Sequence, residues 1–345
     1  MLGALGLLPV GRLWCGPQQN PAPEYSATVK VVNLIATVRN KQGQVVKDLN
    51  QDDFVLDEDG RPQTIRYFSR ETDLPLTLGL LVDTSGSQRA VLGEERSASF
   101  RFLDKVMREE KDMAFVIHFD FEVELLQDLT GSKAALRKSI DLLEIGMRRQ
   151  QQGRQGGGGG GGGGYPGGGR RGGGSRGGGR GQGGRGGGGT DLYDAVFLGA
   201  DEIMKKQHGR KALIILSDGV DTGSKETILS AVESAQRADT LVYSILFEDT
   251  DGYGGFGIGR GGFEDTNGKK VLQRLSQETG GHFFQVSKRT PLDKVYQELE
   301  EELRSQYNIG YNADTKTGAS NYRRIHLTTR QKNLIVQTRE GYYPT

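Results

Sequence analysis

The chain has 345 residues, of which 45 are Lys or Arg and 44 are Asp or Glu, so its formal net charge is +1. This balance excludes a whole-chain electrostatic field that would attract nucleic acid or an anionic membrane. The single cysteine, Cys15, excludes a disulfide within the chain and a cysteine-rich zinc site. The length allows one large domain and a smaller one.

Residues 1–25 are interpreted as a signal remnant or a disordered segment. Residues 2–10 are apolar and precede Gly, Pro and Gln residues, as at the end of a signal peptide, although no basic residue comes before them. Arg12-Leu13-Trp14 before Cys15 is a poor lipidation signal. We therefore expect an extracytoplasmic protein that is secreted, periplasmic or on the cell surface. No run of about 20 apolar residues occurs, so no membrane-spanning helix is predicted.

Residues 26–72 are predicted to form β-strands. Residues 27–38 are rich in β-branched side chains, which favour strands. Residues 54–57 and 64–68 flank Glu58-Asp59-Gly60, a sequence typical of a β-hairpin.

Apolar strands alternate with helical spacing between residues 74 and 305. The first run, residues 76–82, is nearly all apolar, as expected for a strand that is covered on both faces. The predicted strands are 76–82, 113–119, 212–216, 240–247 and 282–286, and the predicted helices are 94–109, 133–145, 192–206, 225–238, 269–279 and 292–307. The alternation predicts an α/β fold with a doubly wound, mostly parallel sheet.

Residues 307–345 return to β character. Neither this segment nor residues 26–72 has enough strands for a stable sheet of its own. We therefore expect the N- and C-terminal strands to pair in one small β-sandwich, into which the α/β domain is inserted.

Residues 153–189 form a low-complexity insertion in which glycine is interrupted by arginine. Such a composition cannot bury a core and predicts disorder. Its Arg-Gly-Gly repeats resemble RNA-binding tails. The segment is thus either an expanded flexible loop or a route by which RNA or another anion binds.

Polar side chains follow two apolar runs and the end of the insertion. Asp83-Thr84-Ser85-Gly86-Ser87 follows residues 76–82, Asp218 ends the run that starts at residue 213, and Thr190 directly follows the insertion. Ligands bind at the carboxyl ends of strands in doubly wound sheets, and carboxylate and hydroxyl oxygens suit a hard cation. The alternative is a turn at Asp83–Gly86 that caps a helix.

The Asp-x-Ser-x-Ser pattern with a distant Thr and a distant Asp resembles the metal-ion-dependent adhesion site (MIDAS) of von Willebrand factor A (VWA) domains. The segments around residues 45–54, 307–311 and 341–344 are similar to those of a secreted bacterial VWA-related group. The resemblance implies a Rossmann-like fold and binding of Mg²⁺, or of Mn²⁺ or Ca²⁺. It also implies adhesion to a protein partner whose Asp or Glu completes the metal shell. The implied metal ligands are Asp83, Ser85, Ser87, Thr190 and Asp218.

Catalysis is not predicted. Phosphatases with an aspartyl nucleophile in such a loop carry a second Asp two residues later, where this chain has Ser85. No Gly-x-Ser-x-Gly elbow is present, and the sequence offers Ser87 no evident His and acid partners. The function alternatives are an RNA- or anion-binding protein that acts through residues 153–189, or a scaffold subunit of a larger assembly.

Overall fold

The computed structural model describes residues 31–70, 74–88, 91–143, 190–247, 261–313 and 322–344, without the side chains of residues 261–266. The predicted signal remnant and the Gly/Arg-rich insertion lie outside these residues.

A six-stranded sheet forms the centre of the molecule, in the order β10-β9-β8-β5-β6-β7. All its strand pairs are parallel except the last, in which β7 runs antiparallel to β6. Its strands are β5 (Leu76–Asp83), β6 (Met113–Phe119), β7 (Val123–Thr130), β8 (Arg210–Ser217), β9 (Leu241–Leu246) and β10 (Phe283–Gln285).

Helices cover both faces of this sheet. Helices α1 (Leu92–Val106), α2 (residues 133–143) and α6 (Leu292–Leu303) pack on one face. Helices α3 (Leu192–Phe197), α4 (Ile228–Arg237) and α5 (Gly261–Thr279) pack on the other, and α3 continues through a π-helical segment, Leu198–Ile203.

The central strands are apolar throughout because both of their faces are covered. On β8, Ile214 and Leu216 belong to the core under α1 and α6, whereas Leu213 and Ile215 belong to the core under α3 and α4. This explains why the sequence shows a continuous apolar run there rather than an alternating one.

Two four-stranded sheets form a β-sandwich that is built from both ends of the chain. One sheet has the order β13-β1-β11-β4 and the other the order β14-β12-β2-β3. Their strands are β1 (Val31–Asn40), β2 (Phe54–Glu58), β3 (Arg61–Gln63), β4 (Ile65–Ser69), β11 (Tyr307–Asn312), β12 (Arg323–Thr329), β13 (Leu334–Gln337) and β14 (Gly341–Tyr342). Leu34 from β1, Leu56 from β2, Ile309 from β11 and Leu327 from β12 share one core. The predicted fold class, an α/β domain inserted in a small β-sandwich, is confirmed.

The structure also differs from the predicted elements. Strand β7 was not predicted, because the half-exposed sequence Val123–Thr130 lacks the apolar run of a central strand. Helix α5 begins at Gly261, eight residues before the predicted start at Lys269. The residue limits of the domains stay a prediction. Within the described ranges, no helix combines the length and the apolar character needed to cross a bilayer.

Candidate metal centre

The centre of the predicted site is the carboxylate of Asp83, the last residue of β5, which is fully buried. Strand β8 lies beside β5 and ends at Ser217, whose Oγ donates a hydrogen bond to Asp83 Oδ2 at 2.6 Å. The backbone N–H of Ser85 donates to Asp83 Oδ1 at 2.9 Å. The parallel pairing of the two strands therefore brings both loops to the same edge of the sheet.

Four of the five predicted ligands form a continuous hydrogen-bonded group. Ser87 Oγ donates to Asp218 Oδ2 at 2.6 Å, and the hydroxyl oxygens of Ser85 and Ser87 lie 3.0 Å apart. Ser87 is exposed and Ser85 and Asp218 are half-buried, so this group opens to solvent above the buried Asp83.

Thr190 lies close to the same loops but is held by other contacts. Its backbone N–H donates to Thr222 Oγ1 at 3.1 Å, and its carbonyl accepts from the backbone N–H groups of Thr222 and Gly223. Among the contacts of the described residues, no hydrogen bond joins Thr190 to the other predicted ligands. The loop that follows Asp218 thus positions Thr190 through its backbone.

Electrostatics at Asp83 favour the approach of a cation. Burial raises the pKa of Asp83 to about 6, and the charge of Asp218 acts in the same direction. The hydrogen bonds from Ser217 and Ser85 oppose this change but do not cancel it. A divalent cation beside the two carboxylates would remove the repulsion between them.

The chemistry of the donor set fits a hard cation. Oxygen atoms of two carboxylates and three hydroxyl groups are the ligands that Mg²⁺, Mn²⁺ or Ca²⁺ prefer. In the part of the chain that the structure describes, no group of three or more His, Cys, Asp or Glu side chains is arranged to hold a metal ion. The candidate centre therefore depends on its hydroxyl groups, and its ligand set stays a prediction.

A second set of aspartates organises the loops around Thr190. Asp194 accepts hydrogen bonds from the backbone N–H groups of Lys225 and Glu226. Asp221 accepts from the backbone N–H of Tyr193. Burial raises the pKa of Asp191, and the neighbouring carboxylates Asp194 and Asp221 act in the same direction. These groups give the rim of the site a negative potential.

Sequence reasoning missed three side chains next to the site. Ser217 holds Asp83, and Gln88 and Glu95 are buried on the segment that follows Ser87. The sequence signal for Ser217 is its place as a polar residue at the end of an apolar strand. Glu95 was visible as an acidic residue on the apolar face of α1, in line with Leu92, Ser99 and Phe102.

No protein-family model and no curated protein matches this sequence. Solved structures similar to it include the conserved hypothetical protein BatB from Bacteroides thetaiotaomicron, at 13% identity and a TM-score of 0.43 over 67% of this chain and 100% of that chain. Proximal thread matrix protein 1 from the mussel byssus, with a zinc-occupied MIDAS motif, matches at 13% identity and a TM-score of 0.42 over 72% of this chain and 50% of that one. A von Willebrand factor type A protein from Catenulispora acidiphila matches at 10% identity and a TM-score of 0.43 over 92% of this chain and 74% of that chain. One of these neighbours bears the name of the family that the sequence motifs resemble.

Proposed function

We propose that this protein is a divalent-cation-dependent protein-binding module of the adhesion type. Asp83, Ser85, Ser87, Thr190 and Asp218 would hold the cation, which is Mg²⁺ or alternatively Mn²⁺ or Ca²⁺. When bound, the cation supplies a position at which a carboxylate of a protein partner completes the metal shell. The observation that carries the proposal is the hydrogen-bonded group of Ser85, Ser87 and Asp218 beside the buried Asp83.

The burial gradient of the site supports binding rather than catalysis. Asp83 at its base is inaccessible, whereas Ser87 at its rim is exposed. A cation at this position would be anchored from below and reachable from above. We therefore propose a module without enzymatic activity. We further propose that it acts outside the cytoplasm.

The metal site is tested by titration calorimetry with Mg²⁺ and Mn²⁺ on the wild type and on Asp83→Ala. We expect the substitution to abolish binding because it removes one of two charged ligands. When both proteins are free of metal, the variant should be at least as stable as the wild type, since it no longer buries a carboxylate beside Asp218. Asp48→Ala, which removes an exposed acid from the β-sandwich, should bind metal as the wild type does. Equal affinities of wild type and Asp83→Ala would contradict the site.

The partner class is tested by capture on the immobilised protein in Mg²⁺ and in chelator. Proteins that bind through a carboxylate should be released by chelator and should not bind Asp83→Ala. Tight, salt-sensitive binding of single-stranded RNA that is indifferent to chelator would instead support the Arg/Gly-rich insertion as the functional element.

A further inference from the structure

Glu95 is a buried acidic side chain on α1, the helix that follows the candidate ligands Ser85 and Ser87. It lies in the first turns of α1, only 1% of its surface is exposed, and neither carboxylate oxygen has a hydrogen-bond partner among the described residues. A buried carboxylate without a donor or a counter-charge is costly, because the interior does not replace its hydration. The packing of α1 alone therefore gives no reason for an acid at this position.

A series of backbone hydrogen bonds connects Glu95 to the predicted ligands. The N–H of Gln88 donates to the carbonyl of Ser85, the N–H of Val91 donates to Gln88, and the N–H of Glu95 donates to Val91. These successive turns place Ser85, Gln88 and Glu95 on one short, continuous segment. Gln88 is also buried, and among the described residues its Oε1 has no hydrogen-bond donor either. Within the described ranges, these three buried acceptor atoms near the site thus have no hydrogen-bond donor.

The surroundings of Glu95 are acidic on the side of the metal centre. Burial raises the pKa of Glu95 well above its usual range, and the charges of Asp83, Glu94 and Asp218 act in the same direction. From α6, Tyr296 faces the same region, and its hydroxyl is engaged with Ser99 Oγ at 2.7 Å. Glu95 is therefore close enough to sense both charged ligands.

We propose that Glu95 is a third carboxylate of the metal centre, which, together with Gln88 Oε1, would accept hydrogen bonds from water molecules bound to the cation. This inference rests on the proposed metal site and adds a positioning residue to it. Mg²⁺ usually keeps several water molecules in proteins, and groups that hold such outer contacts tune metal affinity. The cation would supply both the positive charge and the donors that Glu95 lacks.

The test compares Glu95→Gln with Glu94→Gln in the full-length chain by calorimetric titration with Mg²⁺ and Mn²⁺. Glu94 is the neighbouring residue and is exposed, so its variant makes the same change in charge outside the interior. We expect Glu95→Gln to weaken metal affinity by about tenfold or more, as outer contacts of metal ligands do. Glu94→Gln should leave the affinity unchanged.

Thermal unfolding separates this role from a merely structural one. In chelator, Glu95→Gln should melt at a higher temperature than the wild type, because a buried carboxylate is removed. In excess Mg²⁺ this advantage should shrink or reverse. A structural role would move the melting temperature equally in both conditions, and that result would overturn the proposal.

The remaining outcomes distinguish this inference from the proposed function. Unchanged affinity in Glu95→Gln, with binding lost in Asp83→Ala, would overturn the role of Glu95 and leave the metal site in place. A wild type that binds neither cation would overturn both. If Glu95→Gln does not fold, Glu95→Asp replaces it, since it keeps the charge and withdraws it by one methylene: weaker affinity supports the proposal and unchanged affinity overturns it.

Discussion

Asp112 links the turn that follows α1 to the start of β5, at the end of that strand opposite the candidate metal centre. Its carboxylate accepts from the backbone N–H groups of Leu76 and Arg108, each at 2.9 Å, and from the guanidinium of Arg108, also at 2.9 Å. Burial acts to raise the pKa of Asp112, but these hydrogen bonds outweigh it and hold the pKa below its usual range. Here a buried acid has hydrogen-bond donors, whereas Glu95 has none among the residues that the structure describes.

Asp112→Asn is expected to destabilise the protein by about 2 kcal/mol at neutral pH, because charged hydrogen bonds are lost and one amide donor faces other donors. A carboxylate with a depressed pKa in the folded state stabilises the fold above its unfolded pKa of 3.8, and this contribution is lost as the pH falls through the folded value. The difference from the wild type should therefore narrow below about pH 4.

Urea unfolding at a series of pH values measures this difference. Glu110→Gln, an exposed acid nearby, serves as the control and should show no comparable change. If the loss in free energy of unfolding caused by Asp112→Asn stays constant down to acidic pH, the charge of Asp112 does not contribute to stability.

At the residue scale, the sequence indicated where the candidate ligands stand but not which side chains hold them in place, and the ligand set itself stays a prediction. Asp83 ends an apolar strand, Ser85, Ser87 and Asp218 follow apolar strands, and a single motif relates Asp83, Ser85 and Ser87. The contact from Ser217 to Asp83 spans 134 positions and depends on the register of β8 against β5. No local pattern encodes that register. The burial of Glu95 likewise follows from tertiary packing, although the spacing of apolar residues in the sequence places it on the apolar face of α1.

The loop that carries Asp218 is positioned by helix α5 through an approach of two glycines. Gly219 has a φ of +79°, and a Cβ built there would lie 2.3 Å from the carbonyl oxygen of Gly268. A Cβ on Gly268 would lie 2.2 Å from the carbonyl oxygen of Asp218. Both distances are shorter than real Cβ contacts, so the backbones touch where no side chain fits. The element that fixes one charged ligand is therefore a helix more than 40 residues further along the chain.

Gly268→Ala is expected to destabilise the protein by about 1–3 kcal/mol, the usual cost of overpacking, and to weaken Mg²⁺ binding because it displaces Asp218. Alanine has a higher helix propensity than glycine, so any loss of stability must come from the contact with the Asp218 loop. Gly93→Ala in α1 is the matched control, since nothing lies within 4 Å of a Cβ at that position. Chemical denaturation and calorimetry measure the two effects. A Gly268→Ala protein that resembles Gly93→Ala in both would refute the positioning role of α5.

At the element scale, the central strands that are buried on both faces were predictable from the sequence, whereas the edge strand β7 was not. Strands β5 and β8 read as continuous apolar runs because helices cover both of their faces. Strand β7 is an antiparallel edge strand whose exposed positions include Glu124 and Leu125. Its pairing depends on β6 rather than on its own composition, so residue patterns alone did not indicate it.

The two parts of the molecule meet through ion pairs of two largely buried arginines, Arg39 and Arg339. Arg39 on β1 of the sandwich forms an ion pair with Glu302 at the end of α6, which is fully buried. Arg339 donates to Asp239 at 2.6 Å and to the carbonyl of Asn33 on β1 at 2.7 Å. These contacts join each half of the sandwich to the α/β domain. The inserted domain and the sandwich therefore share a polar interface in addition to their chain connections.

The sandwich should unfold as one unit, because its strands from the two ends of the chain depend on each other. Strand β11 lies between β1 and β4, and β12 lies between β2 and β14. Deleting residues 307–345 leaves β1 and β4 without their shared partner and exposes core residues such as Leu34 and Leu56. We expect hydrogen exchange of the truncated chain to show β1, β2 and β4 losing protection. Strands β5 and β8, whose partners remain, should stay protected and serve as the internal control. Unchanged protection across β1 would refute the shared sandwich, whereas loss of protection in β5 as well would mean that the α/β domain requires the sandwich in order to fold.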